Sequence, residues 1–145
     1  MARIFTHEIK GLSAQVLEAA RLAGVKIATA ESCTGGLISA SLTEIAGSSD
    51  VFDRAFITYS NEAKHDMLGV SLESLERFGA VSRAVAGEMA YGALTRSQSD
   101  IAVAVTGVAG PGGGTAEKPV GLVWFGICQM GQAPTVWKKE FGDIG

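Results

Sequence analysis

Ser32 and Lys64 are the side chains of this sequence whose type and placement best suit covalent chemistry. Ser32 lies in Thr29-Ala30-Glu31-Ser32-Cys33-Thr34-Gly35-Gly36, between a short apolar run and a helical pattern. A hydroxyl at a helix start faces free backbone N–H groups, which can hold an anion or an oxyanion. The same placement suits a plain helix N-cap, so Ser32 alone decides nothing. Gly35-Gly36 is costly in a first helical turn, which points to a close approach to the backbone there. This is not a G-x-S-x-G elbow, because Ala30 and Thr34 occupy the two glycine places. Cys33 competes as nucleophile but needs a histidine partner, and the chain offers only His7, at the N-terminus, and His65, beside Lys64 on a polar helix.

Lys64 belongs to Tyr59-Ser60-Asn61-Glu62-Ala63-Lys64, where Tyr59 closes an apolar run and Lys64 falls in the first turns of a helix. The short-chain dehydrogenase pair needs Tyr-x-x-x-Lys on one helix, and the spacing here is one residue too long. A lysine partly buried near strand ends loses preference for its charged form and becomes available as a base. The third candidate is Thr106, followed by a loop in which five of the eight positions from Gly107 to Gly114 are glycine. It contains no Gly-Lys-Ser/Thr and no G-x-G-x-x-G, so neither phosphate-loop pattern fits. Long glycine loops still permit a ligand to touch the backbone. Ser32, Lys64, Tyr59 and Thr106 together are the inventory of a Ser–Lys acyl-transfer site with backbone donors for the oxyanion. No His or Cys spacing suits a metal's first shell, so neither metal nor cofactor is expected.

The elements that must position these groups read as alternating helices and strands. Ile9, Leu12, Val16, Ala20 and Ala23 recur at helical spacing, with Gly24 as C-cap. Residues 25–30 form a buried strand, and Leu37, Ile38, Leu42 and Ile45 mark a helix that stops near Gly47. A strand over 56–59, a helix over 61–68, a helix over 71–78 capped by Ser71 and a longer helix opened by Ser82 follow. Gly87 and Gly92 weaken that last helix and point to close packing on a sheet. Strands over 101–106, 120–128 and 135–141 complete the chain, the last two joined by a short polar turn and so antiparallel. The pattern predicts one α/β domain over 1–145, three-layer α/β/α, with a mixed, mainly parallel sheet of about five strands. Ligands in such folds sit beyond the carboxyl ends of the strands, which singles out the loops after Ala30, Tyr59 and Thr106.

Composition narrows the function. Apolar residues make up 47% of the 145 residues, charged residues 19%, and the mean hydropathy is +0.25, which excludes a disordered chain. Twelve basic against fifteen acidic residues, with no basic run, argue against a nucleic-acid or anionic-membrane binder. Two cysteines, Cys33 and Cys128, suit a reducing cytoplasm, and no apolar stretch is long enough for a membrane span. Glycine stands at 19 of 145, well above the usual ~7%.

The stretches TAESCTGG (29–36), IAGSSDVF (45–52), TYSNEAK (58–64), LGV (68–70), GAVS (79–82), TGVAGPGGG (106–114) and EKPVG (117–121) resemble the CinA C-terminal domain family. The likeness runs in order over nearly the whole chain. It implies a compact α/β/α domain and, from the family's stand-alone members, hydrolysis of nicotinamide mononucleotide to nicotinic acid mononucleotide and ammonia. By position, the nucleophile falls on Ser32 and the base on Lys64, with Tyr59 and Thr106 at supporting polar positions. Glu31, Cys33, Thr34, Gly35, Gly36, Asn61, Gly107 and Gly110 are the substrate-binding candidates around them. Backbone N–H groups of the helix start and glycine loop are expected to hold the phosphate. Family members continue past Phe141-Gly142-Asp143-Ile144-Gly145 into a basic helix, so either the sequence is truncated there or that packing helix is absent. The partner expected is a small-molecule nucleotide, and a homo-oligomer is compatible with the sequence. A non-catalytic pyridine-nucleotide-binding module would use the same loops. The two readings differ in whether Ser32 and Lys64 lie within hydrogen-bond reach.

Overall fold

The computed structural model describes residues 3–144. Helix α1 (His7–Ala23) starts where the Thr6 side chain accepts a hydrogen bond from the Ile9 amide, and it ends at the left-handed Gly24. Strand β1 (Ile27–Glu31) is buried throughout, and α2 (Leu37–Thr43) follows after a five-residue turn. A short 3₁₀ turn (Ser48–Asp50) leads into β2 (Phe52–Ile57). Helices α3 (Asn61–Leu68), α4 (Leu72–Phe78) and α5 (Arg83–Thr95) are capped by the hydroxyls of Ser60, Ser71 and Ser82. Strands β3 (Ile101–Gly107), β4 (Leu122–Gln129) and β5 (Thr135–Glu140) close the chain.

The five strands form one sheet in the order β2-β1-β3-β4-β5. β1 pairs parallel with β2 and β3, whereas β3–β4 and β4–β5 are antiparallel. This is the mixed α/β/α sheet that the sequence predicts. The β3–β4 pair is antiparallel because the glycine loop carries no helix to bring the chain back across the sheet. Strand β2 differs from the sequence reading: it begins at Phe52 and ends at Ile57, so Tyr59 lies in the loop beyond the strand. Asp53 and Arg54 obscure this edge strand in the sequence. Asp53 has a tertiary task there, accepting the Gln98 amide at 2.9 Å.

One face of the sheet is built from small residues. Ala28, Ala30, Ala102, Ala104 and Cys128 are fully buried against α5, whose Ala90, Ala93 and Met89 are equally closed to solvent. The approach is so close that a Cβ on Gly126 of β4 would lie 2.6 Å from the Ala86 carbonyl oxygen. Gly92 serves another contact: a Cβ there would fall 2.0 Å from the Leu68 carbonyl oxygen at the end of α3. Gly87 faces Val136 of β5. The two helix glycines thus fit α5 to α3 and to the sheet at once, and α3 carries Lys64. On the opposite face α1 and α2 bury Leu17, Ala20, Ile27, Leu42 and Val51. There Ile9, Leu12 and Val16 keep exposed flanks, and Phe125 and Trp137 stack with ring centres 5.5 Å apart.

Gly92→Ala is expected to lower unfolding stability by about 1–3 kcal/mol, the usual cost of overpacking. Gly11→Ala, on the exposed side of α1 with open space around its Cβ, is expected to raise it by about 0.5–1 kcal/mol. Urea titrations of both variants check the pair.

Candidate active site

The ends of β1 and β3 and the loop after β2 converge on one cavity of about 350 Å³. Ser32, Cys33, Tyr59, Lys64, Thr106 and Gly107 line it, with Gly110 from the glycine loop. All four predicted catalytic residues therefore line one cavity, although 74 residues separate Ser32 from Thr106 in the chain, and among the described residues no hydrogen bond joins Ser32 to Lys64.

Ser32 is fixed by the sheet. Its amide donates to the Val105 carbonyl at 3.0 Å, which carries the β1–β3 ladder one step past β1. On the other side the Thr58 amide donates to the Glu31 carbonyl at 2.9 Å. Ser32 is not the N-cap of α2, the plainer role its position allows. That cap is Gly36, which has no side chain, and Gly35 and Gly36 have φ of 60° and 103°. In this left-handed region only glycine is comfortable. The Ser32 hydroxyl is thereby released from capping and faces the cavity.

Capping falls to Glu31. Its carboxylate accepts the Ile38 and Ser39 amides, each at 2.9 Å, and the hydroxyls of Thr34 at 2.7 Å and Thr29 at 3.3 Å. The side chain is 0% exposed. Burial alone would raise its pKa, but the hydrogen bonds from Thr34, Ser39 and Ile38 outweigh burial and hold the carboxyl below its ordinary 4.5. Glu31 and Thr34, both expected at the substrate, thus point into the protein and tie the Ser32 turn to α2. Gly35, Gly36 and Asn61 also lie off the cavity wall.

Lys64 is 1% exposed. Its ammonium nitrogen donates to the carbonyls of Thr58 at 2.8 Å and Tyr59 at 3.0 Å, with Ser60 at 3.5 Å. Among the described residues no carboxylate pairs with it, although Glu31 and Glu62 are near in sequence. Burial lowers the Lys64 pKa from the ordinary 10.5, and only a charge on the Cys33 sulfur would oppose it. A neutral amine has two N–H donors and one lone pair. The Thr58 and Tyr59 carbonyls can take the two donors and leave the lone pair for the cavity.

Cys33 lies on the wall, and burial raises its thiol pKa, with the Glu31 charge adding to the rise. A thiol so placed stays protonated. Neither histidine lines the cavity: the His65 ring bonds the Val70 carbonyl oxygen at 2.8 Å, and the His7 ring lies 2.7 Å from an Arg3 guanidinium nitrogen. Thr106 is buried and donates to the Ala80 carbonyl at 2.9 Å, so it pins the segment between α4 and α5. Tyr59 stands at the rim, 79% exposed. Ala80 and Val81 form a wall that residue types alone do not reveal, and the only sequence signal for it is the GAVS motif. The glycine loop is folded back on the chain: a Cβ on Gly107, Gly110 or Gly114 would strike Leu122, Val123 or Val120.

The unfolded chain holds the Lys64 proton up to about pH 10.5, whereas the folded chain gives it up earlier. Within that window the unfolded state binds more protons, so folding stability rises with pH. Relative to Lys64→Met, the wild-type protein is expected to gain up to about 1.4 kcal/mol per pH unit below pH 10.5. Urea unfolding of both proteins across the alkaline range measures the slope.

Similar proteins match this chain over most of its length. A nicotinamide-nucleotide amidohydrolase PncC of Enterobacter agglomerans is 53% identical over 133 residues, covering 91% of this chain and 81% of that protein. A putative competence-damage inducible protein of Caldicellulosiruptor saccharolyticus is 57% identical over 140 residues, but this chain matches only 34% of its length. The crystal structure of competence/damage inducible protein CihA from Agrobacterium tumefaciens superposes with a TM-score of 0.96 at 53% identity, over 99% of this chain and 87% of that one. The family described as CinA C-terminal domain matches residues 9–143, and the chain belongs to that family.

Proposed function

We propose that this protein is an amidohydrolase that converts nicotinamide mononucleotide to nicotinic acid mononucleotide and ammonia through a Ser32–Lys64 pair. The observation that carries the reading is a buried lysine without a carboxylate partner in the same cavity as a serine freed from capping. The name of the Enterobacter agglomerans relative supports the substrate.

Lys64, neutral when substrate binds, takes the Ser32 proton as the oxygen attacks the carboxamide carbon. The charge that develops on the carboxamide oxygen meets the backbone N–H of Cys33, the residue of the 33–35 turn on the cavity wall. Among the described residues that N–H donates to no main-chain carbonyl. The ammonium of Lys64 returns its proton to the departing nitrogen, with Tyr59 at the rim able to relay it, and ammonia leaves. Water, deprotonated by Lys64, then attacks the acyl–serine ester, and the Lys64 ammonium returns that proton to the departing Ser32 oxygen as the acid is freed. Burial of the amine is what makes this base usable, because charging it inside the protein is costly.

Purified protein is expected to release ammonia from nicotinamide mononucleotide. Ser32→Ala and Lys64→Arg should each lower turnover by about 10²–10⁴-fold, because a guanidinium cannot act as a base in this range. The double variant should lose little more, since the two residues act as one unit. Cys33→Ala should keep most activity. Near-full turnover by Lys64→Arg would discard the Ser–Lys pair. Nucleotide binding by a wild-type protein that releases no ammonia would make this a binding module.

A further inference from the structure

A second, cationic cavity of about 210 Å³ adjoins the first, with Val81 as the shared wall. Arg83, Lys118 and Lys138 line it around the Trp124 ring. The Arg83 guanidinium carbon lies 5.5 Å and the Lys138 ammonium 5.8 Å from the ring centre. The Lys118 ammonium donates to the Phe78 carbonyl, which turns a third positive charge towards the same corner. Glu117 also lines the cavity, yet among the described residues none of the three cations forms an ion pair.

The Trp124 ring accounts for part of the placement of Arg83, but the position of Arg83 on the helix runs against it. Arg83 is the first residue of α5, a thirteen-residue helix with no acidic residue in its first turn. A cation there works against the helix dipole, and two lysines nearby add to the repulsion. In a chain with net charge −3, such a cluster calls for an anion between the cations and the helix end. The distance fits one ligand spanning both cavities. Ser32 continues β1, Thr106 is on β3, and Trp124 faces Thr106 on β4. Two inter-strand steps amount to roughly 10 Å, comparable to the reach from carboxamide to phosphate across a pyridine ring and a ribose.

We infer that Arg83 and Lys138, with Lys118, form a phosphate monoester subsite that holds the 5′-phosphate while the carboxamide lies at Ser32. The inference rests on the amidohydrolase reading for the identity of the reacting end, but not for the anion site itself. It makes these residues the source of selectivity for a nucleotide over its nucleoside. The glycine loop then serves as a wall, since its close contacts already go to the chain itself.

Trp124 reports on the site directly. In a Trp137→Phe background, ribose 5-phosphate is expected to change Trp124 fluorescence saturably, and ribose is not. Arg83→Ala and Lys138→Ala should each weaken that response by about 10–100-fold, the usual loss for a charged hydrogen bond. In ammonia-release assays the same substitutions should lower the preference for nicotinamide mononucleotide over nicotinamide riboside by a similar factor. An unchanged preference, with ammonia release intact, overturns the subsite and leaves the amidohydrolase standing. A response to inorganic phosphate that Arg83→Ala abolishes, with the substrate preference unchanged, likewise overturns the assignment to the substrate's phosphate. Should wild-type protein release ammonia from neither substrate, the amidohydrolase reading fails, and the Trp124 response to ribose 5-phosphate alone upholds or overturns the anion site.

Discussion

Two ionisable side chains, Glu31 and Lys64, are buried on adjoining segments and kept unpaired, and the site depends on that separation. An ion pair between them would relieve the burial of both, but it would also keep the lysine charged. Each group is satisfied elsewhere. The Glu31 carboxylate is consumed by the amides that open α2 and by two threonine hydroxyls. The Lys64 nitrogen is met by main-chain carbonyls, which bind an amine without supplying a full negative charge. The result is an anion locked into the scaffold and an amine left free to exchange a proton.

The packing beneath the site serves the same end. Lys64 can stay on carbonyls of its own loop only if α3 is held at a fixed distance from the sheet. Gly92 lets α5 press against the end of α3, and the alanine floor of β1 and β3 lets α5 lie close to the strands. Thr106 contributes at the opposite wall by holding Ala80. A small volume change in α5 is therefore transmitted to the cavity through rigid contacts, since close-packed interiors pass strain on.

The chemistry-bearing side chains were legible in the sequence. Ser32 and Thr106 stand at or just beyond strand ends and Lys64 lies in α3, the helix after β2, and the rule that ligands bind at carboxyl ends of strands brings these segments together. Helix starts were legible too, because Ser71 and Ser82 cap by local geometry that sequence records. What was hidden depends on tertiary partners. Glu31 follows an apolar run and reads as a substrate contact, yet its partners at Ile38 and Ser39 become visible only once α2 is folded over it. Strand β2 was misplaced because Asp53 looks like loop polarity until it is seen accepting the distant Gln98 amide. The wall of Ala80 and Val81 carries no chemistry of its own, so residue types gave no signal for it. The glycine loop had the right composition for ligand contact, but Val120 and Leu122 account for much of its glycine.

The central claim is that Lys64 is a buried amine with a weakened hold on its proton. The most direct measurement is an NMR titration that follows the Lys64 side-chain nitrogen in the otherwise native protein. The account predicts a single ionisation below the ordinary 10.5. A Lys64 titration at or above 10.5 would contradict it, because the lysine would then be a fixed cation and not a base.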